Sequence, residues 1–240
     1  MSEHITETRD GEIHRITIDR SDEGGIISDP MAVELTAMIN GAADAKVIVF
    51  RSNGPDFCIG RDPKGRAGAT KDALTYRDRS DVVFDYYNAF RGSKIPVITG
   101  VQGRALGFGC ATAVLGDITI ATESATFALP EMGHNIMPTM AMSSLVDRVG
   151  RKGVLYLTYS HKEVDAQTAL AYGLVSLVVA DDELDDAMED LAARIAQAKM
   201  PAVHAVKEYA TSALTMDMVA VNAFARNLHA TINTSEEMAQ

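Results

Sequence analysis

An α/β fold that finishes in helices is what this sequence predicts, and three observations carry the prediction. Short runs rich in β-branched residues recur between stretches of helical periodicity. After Pro201 no strand pattern follows, only helix. With 240 residues and a 47% hydrophobic composition, the chain can bury a large core in a single α/β unit carrying a helical extension.

Taken in order, residues 47–50 (VIVF) are the first clear buried strand, and residues 95–101 (IPVITGV) are the second. Between them, residues 63–71 (PKGRAGATK) are polar and weakly patterned, which predicts a mobile loop, and residues 72–90 are predicted as helix. Ile118 and Ile120 alternate with polar neighbours as a strand does. A helix is expected over 141–156. Asp165 is placed to cap a helix that runs through Tyr172 and ends at Gly173. Residues 174–179 (LVSLVV) read as a strand. Leu184, Met188, Leu191 and Ile195 recur at helical spacing within 184–199. Helices over 203–213 and 218–230 complete the chain. The expected division is a core domain over 1–200 and a helical region over 201–240.

The formal net charge of −11 argues against a general nucleic-acid binder, since phosphate binding needs an excess of Lys and Arg. Two cysteines, Cys58 and Cys110, form no disulfide framework, and no Cys/His cluster has zinc spacing. No apolar run is long enough to span a bilayer, and the start does not resemble a signal peptide. The expectation is a soluble, cytoplasmic protein with no nucleic-acid or membrane partner.

The chemistry is signalled by two segments. Residues 57–62 read FCIGRD, and residues 103–131 read GRALGFGCATAVLGDITIATESATFALPE. A backbone N–H that must meet a developing negative charge needs a tight turn with little side-chain bulk, which Gly60, Gly107 and Gly109 permit. The pair looks like two halves of an oxyanion hole with an acid beside it, and the chemistry this suits is an enolate. The GxxxGxG spacing does not fit a dinucleotide fingerprint, and no P-loop lysine follows. Nor is there a GxSxG motif for a serine hydrolase.

The order of a strand, FCIGRD, a variable helical loop, IPVITGVQGRALGFGC, DITIATESATFALPE and then RKGVLYLTYSHKEVDAQTALAYGLVSLVV resembles the crotonase (enoyl-CoA hydratase/isomerase) superfamily over nearly the whole chain. The resemblance implies a spiral of repeated ββα units, a C-terminal helical trimerisation region, and a homotrimer or dimer of trimers. It also implies an acyl-CoA substrate, with coenzyme A part of that substrate and no metal or redox cofactor. Carried over by residue, the oxyanion donors would be the backbone amides of Ile59 and Phe108. Phe108 stands where a glycine is common. Glu131, after Pro130, takes the position of the family's catalytic glutamate, and an apolar setting of Leu129, Met132 and Ile136 would raise its pKa. Cys58, Gly60, Arg61, Asp62, Gly107, His134 and Lys207 are the expected substrate and coenzyme A contacts, with Arg61, Lys64, Arg66 and Lys207 offered to phosphates.

One departure matters. Hydratases of the superfamily commonly carry a second glutamate after the cysteine of the glycine-rich segment, and here that residue is Ala111. A single carboxylate suffices to move a proton between the ends of an allylic system, so the sequence favours Δ3,Δ2-enoyl-CoA isomerisation. Enoyl-CoA hydration, with Asp62, Glu123 or Asp117 supplying the missing acid, is the alternative. So is a non-catalytic acyl-CoA-binding subunit, suggested by Ala111 and the bulk of Phe108.

Overall fold

A computed structural model describes residues 3–64 and 72–239. The expected loop over 63–71 lies mostly outside the described residues, and Arg66 with it.

The chain opens with an antiparallel hairpin, β1 (Ile5–Asp10) and β2 (Ile13–Ile18), which turns at Gly11, a residue with φ of 57°. Helix α1 (Asp29–Asn40) follows, capped by the Ser28 hydroxyl, and leads to β3 (Val47–Ser52) parallel to β2. Next come α2 (Ala73–Asp78), α3 (Asp81–Gly92) and β4 (Val97–Val101). The middle of the chain holds β5 (Arg104–Leu106), α4 (Phe108–Leu115), β6 (Ile118–Thr122) and β7 (Thr126–Ala128). Then come α5 (Thr139–Leu145), α6 (Arg151–Ser160), β8 (Val164–Asp165), α7 (Ala166–Tyr172) and β9 (Leu177–Val179). The end is helical: α8 (Leu184–Gln197), α9 (Met200–Ala213), α10 (Met218–Asn233) and α11 (Glu236–Ala239).

Six strands form the main sheet in the order β1-β2-β3-β4-β6-β9, parallel after the first pair. A parallel sheet is covered on both faces, and alternation along β3 shows how. Ile48 and Phe50 enter the main core with Ile16, Ile18, Val97 and Val101. Val47 and Val49 face the opposite way, into a second cluster with Ile98, Ile120 and the Leu184, Met188 and Ala192 stripe of α8. Met188 lies over Gly100, where an added Cβ would meet its sulfur at 2.0 Å. A smaller sheet, β5-β7-β8, stands apart from the first, with α4 between β5 and β6 in sequence.

Several expected elements are interrupted. The helix expected over 72–90 is two, α2 and α3, separated at Arg79 and Ser80, where the Ser80 hydroxyl bonds the Tyr76 carbonyl instead of continuing the ladder. The helix expected over 141–156 breaks between α5 and α6, where Gly150 is extended. The strand expected from Leu174 begins at Leu177, because the Leu174 amide is spent on the Ala169 carbonyl in closing α7. The expected cap at Asp165 and the left-handed terminator at Gly173 are both present. The hairpin, β5, β7, β8, α1 and α4 went unread in the sequence. Among the described residues, no helix is long and apolar enough to cross a membrane.

Candidate active site

Two backbone arms and one carboxylate meet between the sheets. The first arm comes from the turn after β3. Cys58 pairs with Ala105 of β5, its N–H donating to the Arg104 carbonyl at 3.1 Å and its carbonyl accepting from Leu106 at 2.9 Å. Gly60 has φ of 145°, which redirects the chain so that Arg61 bridges Ile27 in parallel. The Ile27 N–H donates to the Gly60 carbonyl and the Asp62 N–H to the Ile27 carbonyl. In that register the Arg61 N–H faces away from Ile27, and among the described residues it has no partner.

This placement corrects the first expected donor. The Ile59 N–H donates to the Gly24 carbonyl at 3.0 Å, so it is not available to a ligand, whereas the amide two residues on is. Arg61 does not offer its guanidinium either. Its Nε and a terminal nitrogen hold the two carboxylate oxygens of Asp29 at 2.6 and 2.7 Å. Asp62 is buried, accepting from the Lys64 N–H at 2.8 Å and from Arg20 at 2.9 Å, and these bonds hold its carboxyl below the usual range. The Lys64 side chain is exposed, 3.9 Å from Glu23.

The second arm is the β5 to α4 junction. Gly107, with φ of 54° and ψ of −112°, caps α4, and its N–H donates to the Ala128 carbonyl at 2.9 Å. Phe108 is the first helical residue, so its N–H has no intrahelical acceptor, and no other described group takes it. The two arms touch at Gly109, whose absent Cβ would lie 1.9 Å from the Cys58 carbonyl oxygen. All eight residues of α4 are buried, and the positive end of the helix faces the junction. The Phe108 ring packs inward, stacked on Tyr86 at 5.5 Å and Tyr87 at 5.7 Å between centroids. Its bulk therefore joins the α3 aromatic cluster.

Glu131 begins a 3-10 turn at Glu131–His134, directly over the second arm. A Cβ on Gly107 would come within 3.0 Å of Glu131 Oε1. Glu131 Oε2 is buried without a partner, and burial raises the pKa of the carboxyl, with His134 opposing. The source of that burial differs from the expected one. Leu129 is buried, but Met132 and Ile136 are 40% and 48% exposed; the Tyr87 hydroxyl and the Cys110 thiol are the buried groups in the field of Glu131. His134 is exposed at the end of the turn. Burial pushes the Cys58 thiol up to about 12 and the Cys110 thiol higher still, so neither is a thiolate.

The structure leaves two expectations unmet. Lys207 is buried on α9, and its ammonium is satisfied by the Phe90 carbonyl at 3.2 Å, the Ile95 carbonyl at 3.0 Å and Asp117 at 2.7 Å. It ties the C-terminal helices to the core and has no donor left for a phosphate. Two of the acids offered in place of a residue at Ala111 are engaged, Asp62 as above and Asp117 on Lys207 and the Val97 N–H. Among the described residues, no three His, Cys, Asp or Glu side chains converge as metal ligands. The residues that sequence reasoning missed are the Arg61 amide, Asp29, which holds the Arg61 guanidinium, and Arg20, which holds Asp62. The only sequence signal was the glycine at 60.

Comparison with known proteins agrees with this architecture. A model of the enoyl-CoA hydratase/isomerase family matches residues 8–240. The chain is 30% identical to a probable enoyl-CoA hydratase of Rhizobium meliloti, over 97% of this chain and 90% of that one. It is also 30% identical to the 2,3-dehydroadipyl-CoA hydratase of Escherichia coli, over 87% of this chain and 81% of the other. Among solved structures, an enoyl-CoA hydratase of Mycobacterium smegmatis superposes with a TM-score of 0.91 at 24% identity, covering 99% of this chain and 94% of that one.

Proposed function

The chain belongs to the enoyl-CoA hydratase/isomerase family, and on that footing we propose that it acts on an acyl-CoA thioester through an enolate held by the Arg61 and Phe108 amides, with Glu131 moving the proton. The observation that carries the reading is the meeting of two unpartnered backbone N–H groups at arms that touch through Gly109, with a raised carboxyl over Gly107. A thioester oxygen between the two donors gains negative charge as the enolate forms, and preorganised amides at the positive end of α4 stabilise that charge without reorganising.

Hydration of a 2-enoyl-CoA is the reaction favoured by the names of the relatives. It balances with one carboxylate. Glu131 takes a proton from water, the hydroxide adds at C3, electrons move onto the thioester oxygen, and protonated Glu131 returns a proton at C2. Isomerisation is the second reading, and Ala111 favours it: with no second acid to hold a water, Glu131 removes a C2 proton from a 3-enoyl-CoA and returns it at C4. The third expectation, a non-catalytic subunit, loses part of its motive because the Phe108 side chain is packed away in the α3 cluster. The apolar face between α9 and α10, lined by Val206, Tyr209, Leu228 and Ile232, is the surface proposed for a homotrimer.

Mass spectrometry after incubation with 2-enoyl-CoA and, separately, 3-enoyl-CoA in deuterated water tests the assignment. Water addition to the first substrate establishes hydration; a shifted double bond with deuterium uptake and no added water establishes isomerisation. Glu131→Gln is expected to lower kcat by about 10²–10⁴-fold while coenzyme A binding persists. Unchanged turnover in that variant would overturn the role of Glu131.

A further inference from the structure

Lys207 is a buried cation for which the proposed reaction has no use. All three of its bonds leave its own helix: they reach the Phe90 carbonyl at 3.2 Å, the Ile95 carbonyl at 3.0 Å and Asp117 Oδ2 at 2.7 Å. That same carboxylate oxygen accepts the Val97 N–H at 2.8 Å. Among the described residues, no other side chain of α9, α10 or α11 hydrogen-bonds to the core. Burying an ammonium is costly even when it is paired, and an apolar side chain would fill the same space, so this lysine needs an account beyond packing.

The Phe90 carbonyl lies in the last turn of α3, where carbonyls run out of intrahelical donors and the helix dipole favours a cation. The Phe90 ring stands edge-on to Tyr86 at 5.2 Å and to Phe50 of β3 at 5.6 Å, and Tyr86 in turn stacks on Phe108 at 5.5 Å. All four rings are buried, and a close-packed interior passes a displacement on from one side chain to the next. We propose that Lys207 is a positioning residue for the Phe108 amide: by fixing the end of α3 it fixes the ring stack on which Phe108 rests, and with it the direction of the N–H that meets the thioester oxygen. Asp117 adds to the restraint, since it stands between the end of α4 and the start of β6. The docking of α9 is thereby part of how the second arm is built. The inference rests on the reading in which the Phe108 amide is an oxyanion donor.

The infrared band of the thioester carbonyl of bound acetyl-CoA, isotope-labelled at that carbon, tests this without turnover, because hydrogen bonds from the two amides lower its frequency. Lys207→Met removes the tie. Phe90→Leu leaves the tie whole, since the tie is to backbone, and removes the ring that relays it. Val203→Ala loosens the buried face of α9 without touching either. The band is expected to move back toward its position in free acetyl-CoA in the first two variants and to stay in place in the third. With the substrate turned over by the wild type, the first two should also lower kcat about tenfold with KM little changed. If Lys207→Met does not fold, Phe90→Leu carries the test. An unmoved band in either folded variant, or an equal movement in Val203→Ala, overturns the inference. A wild-type band already at the free position overturns the two-amide reading itself, an outcome distinct from failure of the lysine.

Discussion

The two backbone arms of the site present the same kind of group, a free amide, but are held by opposite means. The first arm is held by charge: Arg61 grips Asp29 with two bonds, and Asp62 receives Arg20 and the Lys64 amide. The second arm is held by shape: Gly109 fits against the Cys58 carbonyl, and Phe108 is clamped on Tyr86 and Tyr87. The difference has a reason in the sheet. α4 is buried along its whole length, where close packing fixes the backbone, whereas Ile59, Gly60 and Arg61 are only half-buried, where packing is thinner and directional bonds must supply the rigidity.

Breaking the shape-held arm should cost most. Phe108→Ala empties the space between two buried tyrosines and is expected to destabilise the protein by about 3–5 kcal/mol, read as a drop in the urea midpoint at unchanged m-value. Next is Gly109→Ala, because a Cβ would meet backbone and not a flexible side chain. A loss of about 1–3 kcal/mol is expected, together with a fall in kcat/KM as the arms separate. Retained activity in that variant would show that the two amides do not work as a pair. On the charge-held arm, Asp29→Asn frees the Arg61 guanidinium, and since Asp29 is partly exposed the expected stability loss is only about 0.5–1 kcal/mol. A few-fold loss of kcat/KM is expected with it. Raising the salt to about 0.5 M should narrow the gap between this variant and the wild type while leaving Phe108→Ala unaffected, because only the ion pair is screened. Equal salt response in both arms would erase the distinction.

How much of this was legible before folding differs between the arms too. The glycines at 60, 107 and 109 marked where backbone would approach closely, since only glycine adopts such turns or permits such contacts without cost. What they could not mark was which amide would be left over. Ile59 and Arg61 flank Gly60 equally in the sequence, and the choice is made by Gly24 and Ile27, more than thirty residues upstream, whose carbonyls take Ile59 and Asp62 and leave Arg61 unbonded. In the same way Lys207 reads as a free cation in the sequence and becomes an internal strut only once α9 lies against the α3 and β4 ends. Hydrogen-bond partners remote in sequence leave no periodicity to read.

By itself, then, the sequence determined the α/β alternation, the strand runs at β3, β4 and β6, the helical ending, the capping of α7 and the two glycine turns beside Glu131, all of which follow from local propensity, periodicity and backbone sterics. Only the tertiary structure decided that Arg61 replaces Ile59 as the free donor and that Phe108 packs inward against Tyr86 and Tyr87. Those outcomes depend on which groups long-range packing brings to each buried polar atom, and a buried atom's partner is set by the whole fold, not by its neighbours in the chain.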